Sequence, residues 1–313
     1  SREELRAALA LASSADQAAL LTRALGKHLV RFGPLSERSA RWRSFLSRDD
    51  LTRAQRCDAQ VELADSFAMR GEMAAARRAL HDALSEPDGT AKERCRGHLL
   101  MGTIEVQLGN LPAAEVQLGQ ACELLKCLPE GNHQELLFQR FHLEGVLAQR
   151  RENLPEAQRS YEASVRVADS IGDARLRAIG RNALGAVYLL SEQNGRARRV
   201  LEECVSLRDV VGSRHTAYTL INLGIQALEE LQLEAARAWL QEALPIGART
   251  GETRLSGLVK GNIGVTLLLE GAFDEADPWL QDAVGLLLHE QVDPFLGEIL
   301  SLIHISEPTR RPI

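Results

Sequence analysis

Aromatic residues are scarce: Trp, Tyr and Phe make up 4% of the 313 residues, although apolar residues of all kinds reach 45%. Any core must therefore be Leu, Ala and Val packing, as between helices at close spacing. No apolar run approaches the roughly 20 residues that a membrane-spanning helix requires. No signal-peptide pattern opens the chain. Cysteines are few, and their number, five, is odd (Cys57, Cys95, Cys122, Cys127 and Cys204). Their spacing is not that of a disulfide framework, which predicts reduced thiols and a cytoplasmic setting. Neither charge sign dominates, with 37 Lys and Arg against 43 Asp and Glu. The arginines alternate with acids, as on solvated helices, and form no basic stripe with interleaved aromatics. Direct nucleic-acid binding is disfavoured on that ground.

Catalytic signatures are missing as well. A phosphate-cradling loop needs Gly five residues before a Gly-Lys pair and Ser or Thr after it. Gly26-Lys27 is the nearest approach, but Leu21 and His28 occupy those flanks. No zinc-protease His-Glu-x-x-His and no Gly-x-Ser-x-Gly elbow occurs. Cys95, His98, His133, His142, Cys122 and Cys127 lack paired metal-ligand spacing and read as packing or surface residues. Glu202-Glu203 and Glu229-Glu230 read as solvated faces, and Trp239 and Trp279 as interhelical packing. No catalytic residue, metal site or cofactor is assigned.

What is present is a repeat. Arg181–Val211 holds two apolar-periodic runs around a polar break at Ser191–Gly195, which predicts a helical hairpin. A small residue in each first helix recurs at Ala64, Gly102, Gly145, Gly185, Gly224 and Gly264, at intervals of 38, 43, 40, 39 and 40. An alanine in each second helix keeps the same intervals at Ala76, Ala114, Ala157, Ala197, Ala236 and Ala276. Four positions after each alanine stands a large residue: Leu80, Leu118, Tyr161, Leu201, Leu240 and Leu280. Three further on stands a small one, Ala83, Ala121, Ser164, Cys204, Ala243 or Ala283. The pattern is steric: a small residue lets two backbones approach, and the large one fills the adjoining hole. Breaks between paired helices are expected at Gly71, Gly109, Asn153, Asn194 and Gly271. Pro112 and Pro155 suit the first turn of a second helix. Gly172, Gly212 and Gly251 read as terminators between hairpins.

Leu184-Gly185 with Tyr188, Ala197, Leu201 and Cys204 resembles the tetratricopeptide repeat. Leu223-Gly224 with Ala236, Leu240 and Ala243 does so too, as does Ile263-Gly264 with Ala276, Leu280 and Ala283. The resemblance covers about residues 51–300 and departs at Glu144, where Leu is usual, and in its period near 40. It implies an all-α, right-handed solenoid of antiparallel helix hairpins. Three segments are expected: N-terminal helices over 1–48, about six repeats with the start of a further one over 49–301, and a tail over 302–313. The tail, LIHISEPTRRPI, resembles translated sequencing-adapter read-through and is expected to be disordered and non-native.

The long period and the Gly172-Asp173 and Gly251-Glu252 junctions resemble the repeat region of bacterial signal-transduction (STAND-type) ATPases and transcriptional regulators. The implied function is a non-catalytic interaction or sensor scaffold, a piece of a larger bacterial regulator. The alternatives are a stand-alone assembly adaptor or a non-catalytic segment of an enzyme. In tetratricopeptide arrays the first helices line a groove. That mapping assigns Asn182, Tyr218, Ile221, Asn222, Ile225, Asn262, Val265 and Leu268 to a partner-binding face. Basic clamp residues are missing there. The implied partner is a protein or peptide, such as an amphipathic helix or another domain of the parent chain, rather than an acidic tail, nucleic acid or a membrane.

Overall fold

A computed structural model describes residues 2–32, 34–85, 89–129, 131, 133–208, 213–250 and 252–288. The expected tail, the further repeat start after Pro294, and the terminators Gly212 and Gly251 lie outside these residues. Fifteen helices and no strand occur among them. They are α1 Arg2–Ala10, α2 Ala15–Phe32, α3 Leu35–Leu46, α4 Arg53–Met69, α5 Met73–Ser85, α6 Ala91–Gln107, α7 Leu111–Lys126 and α8 Gln134–Arg150. The remainder are α9 Leu154–Ile171, α10 Ala174–Leu190, α11 Asn194–Ser206, α12 Ser213–Glu229, α13 Leu233–Thr250, α14 Thr253–Leu269 and α15 Phe273–Leu288. The architecture is an all-α solenoid of antiparallel hairpins. Packing divides it into two compact units, one ending at Asp173 and one starting at Ala174. The first holds α1–α3 and the hairpins α4/α5, α6/α7 and α8/α9. The second holds α10/α11, α12/α13 and α14/α15.

Local chemistry sets the helix starts. Thr52 and Thr90 form capping boxes with Gln55 and Glu93, each satisfying two backbone donors that the helix itself leaves free. Asn110 and Asn153 cap α7 and α9 ahead of Pro112 and Pro155. Two further prolines, Pro245 and Pro278, sit inside α13 and α15, each removing one backbone donor from its helix.

The turn inside every hairpin is closed in one way. The residue seven past the small marker has left-handed backbone: Gly71, Gly109, Glu152, Glu192, Leu231 and Gly271, with φ between 55° and 79°. The next N–H reaches a carbonyl five residues back, as in Glu72 to Phe67 (2.9 Å) and Gln232 to Ala227 (2.8 Å). Of the expected breaks in the middle repeats, Asn153 lies in one, between α8 and α9, and Asn194 does not. Asn153 is a cap and Asn194 the first residue of α11. The strained position falls instead on Glu152 and Glu192, because hairpin closure dictates the conformation whatever the side chain.

The steric pattern is real at the atomic level. A Cβ on Gly264 would lie 2.5 Å from Leu280, on Gly185 2.6 Å from Leu201, on Gly224 2.9 Å from Leu240 and on Gly145 2.6 Å from Tyr161. The second repeat differs. Leu143 of α8, not the expected Leu118, presses on Gly102, with 2.7 Å to the same notional Cβ. Buried thiols fix a further joint. Cys57 donates to Ala83 O (3.3 Å) and Cys95 to Ala121 O (3.6 Å), while Cys204 donates in the opposite sense to Ala178 O (3.7 Å). Burial pushes the Cys95 thiol up to about 11 and that of Cys204 up to about 12, so both are structural donors rather than nucleophiles.

Candidate partner-binding face

In the second unit the first helices α10, α12 and α14 lie side by side. Of the eight residues that the sequence assigns to their shared face, six are partly exposed: Asn182, Tyr218, Asn222, Ile225, Val265 and Leu268. Ile221 and Asn262 are 3% exposed. Ile221 joins Leu255, Val259 and Ile263 in the core between α12 and α14. Asn262 turns its amide onto Leu258 O of its own helix at 2.8 Å.

The amides do meet at one point. Asn222 Nδ2 donates to Asn182 Oδ1 at 3.0 Å across the α10–α12 seam. The pair leaves Asn182 Nδ2 and Asn222 Oδ1 over, one donor and one acceptor, beside Ile225. Ile225, Leu258 and Leu268 rest on the core beneath, and Val265 rests on Ala227, Leu228 and Ala236.

Tyr218 also anchors the next repeat. Its hydroxyl donates to Glu252 Oε1 at 2.5 Å, and Arg214 grips the same carboxylate with Nε at 2.5 Å and Nη2 at 2.8 Å. Burial, reinforced by the Glu252 charge, holds the phenol above its ordinary range. Glu252 is 5% exposed. The sequence reading missed it as an anchor. Its signal was the Arg214 and Tyr218 pair one helical turn apart, aimed at the start of the next repeat.

The equivalent positions of the first unit are filled differently. Six before, two before and one after the marker, α4 carries Asp58, Glu62 and Asp65, and α6 carries Arg96. Arg96 binds Asp58 (3.0 Å) and Glu62 (3.1 Å), and Arg38 of α3 binds Glu62 and Asp65, both at 2.8 Å. Arg23 adds a further pair with Asp58. Arg96, which stands alone in the sequence, is thus held by two carboxylates, and this face is closed by its own charges.

Cys95, His98 and His142 go to separate partners. His98 Nδ1 meets Gln117 Oε1 at 2.8 Å, and His142 stacks on Phe138 and packs on Tyr161. No group of three metal-ligating residues occurs among the described residues. No helix among them is long and apolar enough to cross a membrane.

The chain matches no family model and no curated protein. Solved structures do match. A Signal Transduction ATPase with Numerous Domains (STAND) protein with a tetratricopeptide repeat sensor, from Pyrococcus horikoshii, superimposes with a TM-score of 0.62 at 16% identity. The match covers 95% of this chain and 48% of that one. The anaphase-promoting-complex hetero-tetramer Cut9–Hcn1 gives 0.69 at 14% identity, over 96% and 52%. A tetratricopeptide repeat protein from Parabacteroides merdae gives 0.54 at 18%, over 85% and 91%. The fold is that of a tetratricopeptide-repeat array. This array spans about half the length of the first two of these proteins. The resemblance between the repeats and a protein-binding scaffold is therefore one of architecture.

Proposed function

We propose that this tetratricopeptide array is a non-catalytic capture or sensor module of a larger bacterial regulator, working in the cytoplasm, and that its α10–α12–α14 face receives a protein segment. The observation that carries this reading is the Asn182–Asn222 pair, with a spare donor and acceptor, on a face that also carries partly exposed Ile225, Val265 and Leu268. Apolar residues supply burial, and the amides fix direction by bonding ligand backbone, as suits an amphipathic helix or extended peptide. Ion pairs fill the corresponding positions on α4 and at the start of α6 in the first unit. Similarity to a STAND protein with a repeat sensor, at 48% of that chain's length, supports a sensor segment belonging to something larger.

The test is the double variant Ile225→Asp with Val265→Asp. It should lose capture of a partner from native lysate while keeping its helicity. Asn222→Ala should weaken capture by about 1–2 kcal/mol, the cost of an unmade buried hydrogen bond. Capture that survives both aspartates refutes the proposal.

A further inference from the structure

Apart from Leu288 at the end of α15, the other exposed large apolar residues of the second unit lie at the turns inside its hairpins. Leu190 is 56% exposed, Leu231 71%, Leu269 50% and Phe273 41%. Leu190 and Leu269 stand five past their marker glycines, where the middle hairpin has Glu229. Leu231 and Glu192 stand seven past theirs. Each of the first two hairpins therefore carries one leucine and one glutamate in exchanged positions, and the third carries Leu269. The first unit has Met69, Gln107 and Arg150 at the former offset and Gly71, Gly109 and Glu152 at the latter, with no leucine at either.

Leu231 is costly twice over. Its φ is 55°, in a region that disfavours branched side chains, and its apolar surface faces water. Nothing in the hairpin itself requires leucine, since glycine serves at Gly71, Gly109 and Gly271.

The turns form one rim. Arg198 at the start of α11 binds Glu230 (2.8 Å) and Gln232 (3.2 Å), the residues flanking Leu231. Arg237 at the start of α13 binds Glu270, which adjoins Leu269. These arginines are thus already engaged. Glu192 and Glu229 have no cationic partner among the described residues. Partial burial, with Glu192 and Glu230 close by, raises the Glu229 carboxyl above its ordinary range, which shows that adjacent turns crowd like charges together.

We propose that this rim, separate from the α10–α12–α14 face, is a docking surface for a basic amphipathic segment of a protein partner. Leucines of the segment would cover Leu190, Leu231 and Leu269, and lysines or arginines between them would pair with Glu192 and Glu229. Packed helices repeat at about 8–10 Å, so a helix with apolar residues seven apart, about 10.5 Å, meets one leucine per hairpin. An anionic membrane surface is disfavoured by the same unpaired carboxylates.

The probe is a fluorescein-labelled helical peptide of leucine and lysine, about 18 residues long to span three hairpins, beside a leucine–glutamate twin. Anisotropy is read with the full chain. Saturable binding of the lysine peptide alone is expected, weakened on the order of tenfold in Leu190→Ser/Leu231→Gly/Leu269→Ser. Glu192→Gln/Glu229→Gln should weaken it as well and flatten its salt dependence. Circular dichroism must show unchanged helicity in both variants, and Leu231→Gly relieves strain rather than adding it. Equal binding of the two peptides overturns the proposal. So does binding lost in Ile225→Asp but not in the rim variants, or a rim-dependent self-association seen in sedimentation. Failure of the α10–α12–α14 reading would appear only in the Ile225 and Val265 variants, so the two fail independently.

Discussion

Gly264 and Gly285 lie in the two helices of the last hairpin, and the same substitution should act on them with opposite sign. Alanine in place of glycine favours a helix interior by about 1 kcal/mol. At Gly285 no atom lies within 4 Å of the added methyl, so that gain should be realised in full. At Gly264 the methyl would fall 2.5 Å from Leu280 Cδ2, 2.6 Å from Cγ and 3.4 Å from the Leu280 backbone nitrogen. Leu280 is 1% exposed and packed into the core of α12–α15. A side chain so enclosed yields little, so the helices must separate. Overpacking of this kind costs about 1–3 kcal/mol, occasionally more. Gly264→Ala should therefore lower stability by up to about 2 kcal/mol even after the propensity gain. Urea unfolding followed at the helical band reads both variants. A repeat array need not unfold in one step, so the transition containing α14 and α15 is the one to compare. Leu280→Ala supplies the internal check: in that background Gly264→Ala should be neutral or stabilising, because the added methyl enters the vacated space. A higher midpoint for Gly264→Ala alone would refute close approach as the reason for glycine there.

Glycine should help where the turns are strained. Leu231→Gly should raise the urea midpoint, by about 0.5–1 kcal/mol once the greater freedom of the unfolded chain is set against roughly 1–2 kcal/mol of relieved strain, and no change would mean that the left-handed turn is unstrained. His142 should make the first unit sensitive to acid. Burial lowers its pKa to about 4 from an ordinary value of 6.5, so between these values the unfolded chain binds a proton that the folded chain refuses. The contribution is complete above pH 6.5 and lost as pH falls towards 4, with a ceiling of about 3 kcal/mol at 1.36 kcal/mol per pH unit. His142→Phe should flatten that part of the pH–stability curve, and a parallel curve would exclude His142 as the cause. Glu252→Ala should cost about 3–5 kcal/mol by removing the buried carboxylate that Arg214 and Tyr218 share, whereas an exposed control such as Glu202→Ala should cost under about 0.5 kcal/mol.

The repeat register was legible in the sequence because it is written by sterics. A small residue in the first helix and a large one sixteen positions on recur in every hairpin, and in the last three they meet as glycine against leucine. The turn chemistry was half legible. Glycine advertises left-handed backbone at Gly71, Gly109 and Gly271, but Glu152, Glu192 and Leu231 adopt it under the constraint of closing the hairpin, and no local preference points to them. The face residues were harder still. Asn222 and Asn262 share an offset, yet one bridges to Asn182 and the other folds onto its own helix. Asn182 stands three before its glycine and Asn222 two before, so the pair joins unlike positions that no register comparison would align. Glu252 escaped because its partners, Arg214 and Tyr218, belong to the preceding hairpin.

This separation of offsets also says where recognition can be located. The positions 0, 7, 12, 16 and 19 in each hairpin are committed to closing and packing it, and all but position 7 vary little along the chain. The positions six before, two before and one after the marker are less uniformly committed, Leu143 and Asn262 among them being buried, so their composition differs between units. On α4 and at the start of α6 they hold Asp58, Glu62, Asp65 and Arg96, whose charges are satisfied by one another and by Arg23 and Arg38. Breaking such a pair to admit a ligand would strand a partly buried charge. On α12 and α14 the same positions hold Tyr218, Asn222, Ile225, Leu258, Asn262 and Val265, where Tyr218 and Asn262 are engaged and the partly exposed apolar surface loses nothing by being covered. Two hairpin sets with one scaffold thus differ in the cost of admitting a partner, and that difference favours capture by the second unit.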